Sequence, residues 1–373
     1  MSASGGNRRL CDDALAIWRA GVAAVDSERL VSGCVRADSH GLEICGRRFP
    51  LSSTGRIVAV GAGKAGAGMA AGLELALSGS PLSERLSGWI NVPADCVRPL
   101  RKIHLHAARP AGVNEPTEAG VVGAAEILSR VRQLSSDDLC VVLLSGGGSA
   151  LLPAPAPGVS LADKLAVTRL LSARGATINE LNCVRKHLSA IKGGNLARAA
   201  GAARVVTLII SDVIGDPLDV IGSGPTVADR STVADALGVL ERIANQRSDV
   251  PENIWTFLEA KRNAPPDPPL PDTVSNFVIG NNQTALSAAA NKAGELGYLV
   301  QSLGSANGGE ARDVGRELAA RVVAIRDSQA AGTSAVCVLG GGETTVRLAP
   351  TSEPRRGGRN QELVLGVVDS LWE

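Results

Sequence analysis

The 373-residue chain carries 38 Lys and Arg against 37 Asp and Glu, a formal net charge of +1, and a balance this close excludes a basic nucleic-acid footprint and an acidic tail. With 45% hydrophobic and 20% charged residues the chain can bury a core and is not disordered. Aromatic residues are only 2%, so that core must be built of Ala, Val, Leu and Ile, and 43 glycines suit an α/β protein with many tight strand-to-helix turns.

From about residue 10, DALAIWRAGVAAV has helical apolar spacing. IVAVG (57–61) reads as a buried strand that runs into Gly61–Gly68 and then a helix. GWINV (88–92) is a second short strand, and 115–133 reads as helical. LCVVLL (139–144) is an apolar strand that stops at Ser145-Gly146-Gly147-Gly148-Ser149. Beyond PAPAPG (153–158), amphipathic helices are predicted near 160–173 and 177–191. RVVTLII (204–210) is another buried strand, opening onto Ser211-Asp212 and Asp216-Pro217. KRNAPPDPPLPDT (261–273), with five prolines, reads as a stiff extended linker. After it come VSNFVIG, a helix from Asn281, YLVQSL, a helix through 310–326, AVCVLGGGE, TTVRL and a last helix from about 359. This alternation predicts a doubly wound parallel sheet in residues 10–262, a linker over 263–273 and a second α/β domain over 274–373.

No apolar run is long enough for a membrane-spanning helix, and no secretory signal is expected. Early acids (Asp12, Asp13, Asp26, Glu28) argue against a mitochondrial presequence, and seven scattered cysteines suit a reducing compartment. The expected location is the cytoplasm, with the mitochondrion as the alternative. His104 and His106 would share one strand face, but nothing at zinc-type spacing joins them.

Glycine-rich turns after apolar strands gather at the carboxyl ends of a parallel sheet, where ligands bind. Gly61-Ala62-Gly63-Lys64-Ala65-Gly66 satisfies G-x-G-x-x-G, a weak dinucleotide signal by itself; the next strand lacks the acid that would meet a ribose. Lys64 inside the turn makes sense if an anion bridges it to the backbone amides; an incidental lysine at a packing turn weighs about equally. Ser145–Ser149 exposes amides that suit a polyphosphate, although no Walker A pattern occurs. Asp212 and Asp216 could hold Mg²⁺ or accept a proton from a hydroxyl, against the bland alternative of turn and cap residues. Glu343 follows Gly340–Gly342, and Arg355, Arg356 and Arg359 flank Gly357-Gly358 before the last helix; Arg359 could reach an anion bidentately. Arg185, Lys186 and Lys192 read mostly as surface charges, with Lys192 beside Gly193-Gly194 the outside candidate. Two phosphate-friendly loops, paired acids and scattered cations suit phosphoryl transfer.

VGAGKAGAGMA, LLSGGGSALLPAP, LLSARGATINELNCVRKHLSAIKGGNLA, LIISDVIGDPLDVIGSGPT, VIGNN, VLGGGETTV and GGRNQELVLG together resemble the class II glycerate kinases, or glycerate 2-kinases, of animal type. The resemblance implies a Rossmann-like domain followed by a MOFRL-type domain. It implies transfer of phosphate from ATP, with Mg²⁺, to (R)-glycerate, giving 2-phosphoglycerate. Lys64 and Arg359 match the family's active-site cations, and Asp212 joins them as a catalytic candidate. Gly61, Gly63, Ser145, Gly146, Gly147, Gly148, Ser149, Asp216, Asn281 and Glu343 match substrate- or nucleotide-binding motif positions, with Asp212 and Asp216 as metal candidates. The expected partners are glycerate and ATP, not nucleic acid or membrane, with a homo-oligomer left open. Two departures stand out. The family's HPxPD-like segment is degenerate around His106–Glu115, and family members continue beyond the GGRNQE helix, which implies a chain shortened at its C-terminus. The rival readings are an NAD(P)-dependent hydroxypyruvate reductase and a non-catalytic variant that binds a ligand or partner.

Overall fold

Continuous apolar runs punctuated by glycine become buried parallel strands, and the polar-apolar segments between them become helices. The structure is a computed structural model that describes residues 3–265, 267–330, 334–347 and 357–372. It divides into two compact units. The smaller takes the chain up to Val25, Asp212–Gly215 and the chain from Gly280; the larger takes Asp26–Ser211 and Asp216–Ile279.

Helix α1 (Ala3–Ala24) belongs to the smaller unit. The larger unit begins with α2 (Ser27–Cys34), capped by Asp26, which accepts from the Arg29 amide at 2.9 Å. An antiparallel meander follows: β1 (Val35–Asp38), β2 (Gly41–Ile44) and β3 (Arg47–Pro50). Then come β4 (Ile57–Ala62), α3 (Gly66–Leu77), β5 (Leu86–Pro93), β6 (Ile103–Arg109), α4 (Glu118–Arg132), β7 (Leu139–Ser145), α5 (Gly148–Leu151), α6 (Leu161–Ala173), α7 (Ile178–His187), α8 (Asn195–Ala199), β8 (Arg204–Ile210), α9 (Val233–Ile243), α10 (Glu252–Arg262) and β9 (Val274–Gly280). The six-stranded sheet has the order β6-β5-β4-β7-β8-β9, and the neighbours from β6 to β8 pair in parallel. Every residue of β4 and β7 is buried, as expected of strands covered on both faces. Ser160, Thr177 and Thr232 each form a reciprocal capping box with an acid three residues on, which fixes where α6, α7 and α9 begin.

The larger unit places its few aromatics with care. Trp255 is 2% exposed, donates its indole N–H to the Arg247 carbonyl at 3.0 Å and carries the Arg247 guanidinium 4.9 Å above its ring. Trp89 stacks on His104 and His106, with centroids 4.1 and 5.2 Å away. The two histidines are therefore part of an aromatic stack.

In the smaller unit α1 packs on α11 (Asn282–Glu295) where Gly21 faces Ala285 and Ala289. Tyr298 donates its hydroxyl to Asp13 at 2.8 Å. Strands β10 (Leu299–Ser302) and β11 (Val336–Leu339) form a two-stranded parallel sheet. Helix α12 (Ala311–Ser328) packs on α13 (Arg359–Trp372) through Gly315 and Gly366, where a Cβ would strike backbone. Trp18 and Trp372 are 63% and 89% exposed.

The units do not divide where the proline-rich linker suggests. Strand β9 follows the linker yet is the sixth strand of the large sheet, fixed by the Val205 amide on the Thr273 carbonyl (3.1 Å) and by Thr226 donating to Asn276 (2.7 Å). Among the described residues the strand expected at TTVRL is only a single bridge, Glu310 to Thr345. Arg355 and Arg356 lie outside the described residues. No described helix is long and apolar enough to cross a membrane.

Candidate active site

Strand β4 has β5 on one side and β7 on the other, so the chain leaves it in opposite directions across the sheet. This is the switch point at which open parallel sheets bind ligands. Register places the ends of β4, β5 and β7 level, since Ala62 pairs with both Asn91 and Leu144. Both predicted glycine turns therefore meet here, and they are stitched together. The Lys64 amide donates to the Gly146 carbonyl at 2.9 Å, the Ala65 amide to Ser145 Oγ at 3.0 Å and the Gly63 amide to the Asn91 carbonyl at 3.2 Å. A Cβ on Gly61 would strike Leu143, and one on Gly63 would strike Ser145. These two glycines let the second turn close over the first. Gly147 is left-handed (φ 80°), and Gly148 opens α5, whose first amides have no intrahelical acceptor.

Two cations flank Gly147. A Cβ built there would lie 3.1 Å from Arg109 Nη2 and 3.4 Å from Lys64 Cγ and Cε. Lys64 is exposed. Arg109, at the end of β6, is 4% exposed, and its Nε has no hydrogen-bond partner. Burial pulls the Arg109 pKa down, against the opposing pull of Asp95 and Cys96.

A second set of cations meets at Ser149. Buried Lys192 donates to the Ser149 carbonyl at 2.8 Å and to its Oγ at 2.6 Å, and Arg185 donates to the same Oγ at 2.5 Å. Ser223 Oγ lies 3.0 Å from Ser149 Oγ and donates to Asn182 at 3.2 Å. It sits in a left-handed run, Gly222-Ser223-Gly224, with φ of 60°, 64° and 60°; a serine held this way stores roughly 1–3 kcal/mol of strain. Lys164 is 8% exposed, and its Nζ has no partner. Burial, with Arg185 nearby, pushes its pKa down to about 7. Burial, then Arg185 and Lys164, holds Lys192 well below the ordinary lysine range. The neighbouring acids go elsewhere: Asp219 and Asp229 each lie 3.4 Å from Lys186, and Asp229 lies 3.8 Å from His187. Arg185, Lys186 and Lys192, expected at the surface, are mostly or fully buried because α7 and the turn after it pack into the large unit.

Asp212 is exposed and belongs to the smaller unit; Asp216 is half-buried in the larger and left-handed at φ 51°. Asn281 caps α11, accepting from the Thr284 amide at 2.9 Å. Glu343 accepts from Arg359 at 2.5 Å, so these two candidates form an ion pair. Among the described residues no three His, Cys, Asp or Glu gather as a metal cage. Mg²⁺ brought by a nucleotide keeps several waters and asks for only one or two carboxylates, which a single acid such as Asp216 of the larger unit can supply.

The position where a dinucleotide-binding sheet presents a ribose acid is held by Asn91. It is buried and fully engaged, donating to the Leu151 carbonyl at 2.8 Å and accepting from the Trp89 indole at 3.2 Å. Arg109, Lys164 and Ser223 were not singled out from the sequence. Lys164 had a signal: it falls on the buried stripe Leu161-Lys164-Val167-Leu171 of α6.

A parallel α/β sheet with two interlocked glycine turns and two cations flanking Gly147 at its switch point defines an anion-handling α/β protein. A family model described as a domain of unknown function, DUF4147, matches residues 13–259, and the chain belongs to this family. Glycerate kinases of Rattus norvegicus and Homo sapiens are 38% and 37% identical to it, each over 96% of this chain and 76% of the relative. A protein of Agrobacterium vitis provisionally named hydroxypyruvate reductase is 42% identical over 87% of this chain and 71% of the relative. The crystal structure of glycerate kinase from Thermotoga maritima superposes with a TM-score of 0.78 at 31% identity, covering 98% of this chain and 80% of that one.

Proposed function

We propose that the chain phosphorylates glycerate with ATP, and more finely that it transfers the γ-phosphoryl group to the 2-hydroxyl of (R)-glycerate. The observation that carries this reading is the convergence of Lys64 and Arg109 on Gly147 at the switch point, in a chain 38% identical to a glycerate kinase over nearly its whole length. The triphosphate lies along Gly146–Ser149, where amides and the two cations balance its charge. The substrate oxygen attacks the γ-phosphorus, the bond to the bridging oxygen breaks, and ADP leaves with the electron pair. Asp216, in the same unit as that loop, takes the hydroxyl proton. Mg²⁺ arriving with the nucleotide would neutralise charge on the phosphates.

Lys64 is exposed, and its side chain makes no hydrogen bond or ion pair among the described residues. Lys64→Ala should therefore lower ATP-to-phosphoglycerate turnover by about 100-fold or more with the melting temperature unchanged; near-normal kcat would sink the assignment. The name of the Agrobacterium vitis relative favours a second reading, nicotinamide-dependent reduction of hydroxypyruvate. Loss of absorbance at the reduced nicotinamide band with hydroxypyruvate would select it, and the engaged Asn91 argues against it.

A further inference from the structure

Arg185 and Lys192 meet at Ser149, and Lys164 is near enough for like-charge repulsion with both; among the described residues none of the three is in an ion pair, while Asp219 and Asp229 serve Lys186 and His187. Burying an ion costs several kcal/mol even after relaxation, so such a group persists where an anion completes it. Lys164 identifies the vacant valence: its ammonium is buried and has no hydrogen-bond partner. Lys192 is already saturated by two bonds to Ser149 and one to Ser223, and Arg185 gives Ser149 one bond of the five its guanidinium can make.

We propose that Lys164 and Arg185, braced by Lys192 and Ser149, form the subsite for the carboxylate of the hydroxy-acid substrate and so set its specificity. This rests on the kinase reading, which places the triphosphate at Gly147 beside Lys64 and Arg109. The other reactant has one charged group, its carboxylate, and among the described residues this cluster has no ion-pair partner, with Lys164 Nζ left without a hydrogen bond. Spacing agrees. Residues two apart in a helical turn have Cα atoms on the order of 5–6 Å apart, about the span of a three-carbon acid, so a carboxylate at Ser149 leaves its hydroxyl facing phosphate at Gly147. The Arg185 fork matches a carboxylate bidentately, and Lys164 supplies the point charge at its side.

The test uses the full chain and three variants, Lys164→Met, Arg185→Gln and Arg185→Lys. Lys164→Met breaks no protein hydrogen bond, so it remains informative if Arg185→Gln folds poorly. Loss of one charged hydrogen bond should raise KM for glycerate about 10- to 100-fold, with KM for ATP within about twofold; Arg185→Lys should recover part of the loss. Wild type should also prefer glycerate over uncharged glyceramide, and Arg185→Gln should level the two. Equal rises in both KM values, or a fall in kcat alone, would overturn the carboxylate assignment. Calorimetric titration of glycerate without nucleotide separates this proposal from the kinase reading. Binding by wild type that is lost in Lys164→Met supports the subsite even in a protein without turnover, whereas equal binding by both refutes it.

Discussion

Lys164→Met makes the sharpest claim about stability, because it removes a charge that nothing in the protein compensates. The ammonium is 8% exposed and unpartnered, and its pKa falls from the ordinary 10.5 to about 7. At about 1.4 kcal/mol per pH unit, that fall corresponds to a destabilisation on the order of 5 kcal/mol. Water entry and relaxation around the ion reduce what an experiment returns, so a gain of about 2–4 kcal/mol is expected for the methionine variant at pH 6. The sign follows from proton binding. Below pH 7 the folded and unfolded chains both hold the proton, and the penalty is whole. Between pH 7 and 10.5 only the unfolded chain holds it, so the parent gains stability as pH rises and the gap to the variant closes. Urea melts of parent and variant at pH 6, 8 and 9.5 measure the gap directly. A variant less stable than its parent, or a gap that stays constant across the range, would show that the lysine has a partner after all.

Gly63→Ala drives a Cβ into Ser145, so it should cost about 3 kcal/mol and lower turnover together with stability, read by melting and by the coupled assay. Asp138 is 2% exposed and accepts from Arg56 Nη2 at 2.7 Å and from the Arg56 and Ser135 amides at 2.8 and 2.9 Å. Those bonds hold its carboxyl well below the usual range. Its stabilising contribution is complete above the unfolded-state value near 4 and disappears as pH falls through the lower folded value. Asp138→Asn should therefore lose about 2–4 kcal/mol at pH 7 and approach its parent in acid, as followed by denaturant melts.

The turns at 61–66 and 145–149 were legible because a continuous apolar run ending in glycine is a local signal for a parallel strand and its carboxyl-terminal loop. What the sequence could not say is that these turns lock onto each other, since Gly63 and Ser145 are far apart along the chain. The proline-rich segment marked a spacer but misled about membership: pairing of β9 with β8 is a long-range fact that outweighs local composition. Arg185 and Lys186 read as surface because charge usually is, and α7 shows no clean apolar stripe. Their burial comes from the elements packed around them. Lys164 was readable in principle, being the one cation on an otherwise aliphatic face. Asn281 was legible through its family motif, whereas its capping of α11 appears only in the fold.

The four tryptophans are divided unequally by environment. Trp255 and the half-buried Trp89 lie in the larger unit, whereas Trp18 and Trp372 of the smaller unit are largely in water. Intrinsic fluorescence is thus a selective lamp. Its blue-shifted component belongs to the body that holds the glycine turns, while the solvated indoles contribute a red background that unfolding hardly moves. An emission-monitored transition will follow the half that carries the six-stranded sheet and remain nearly blind to the other.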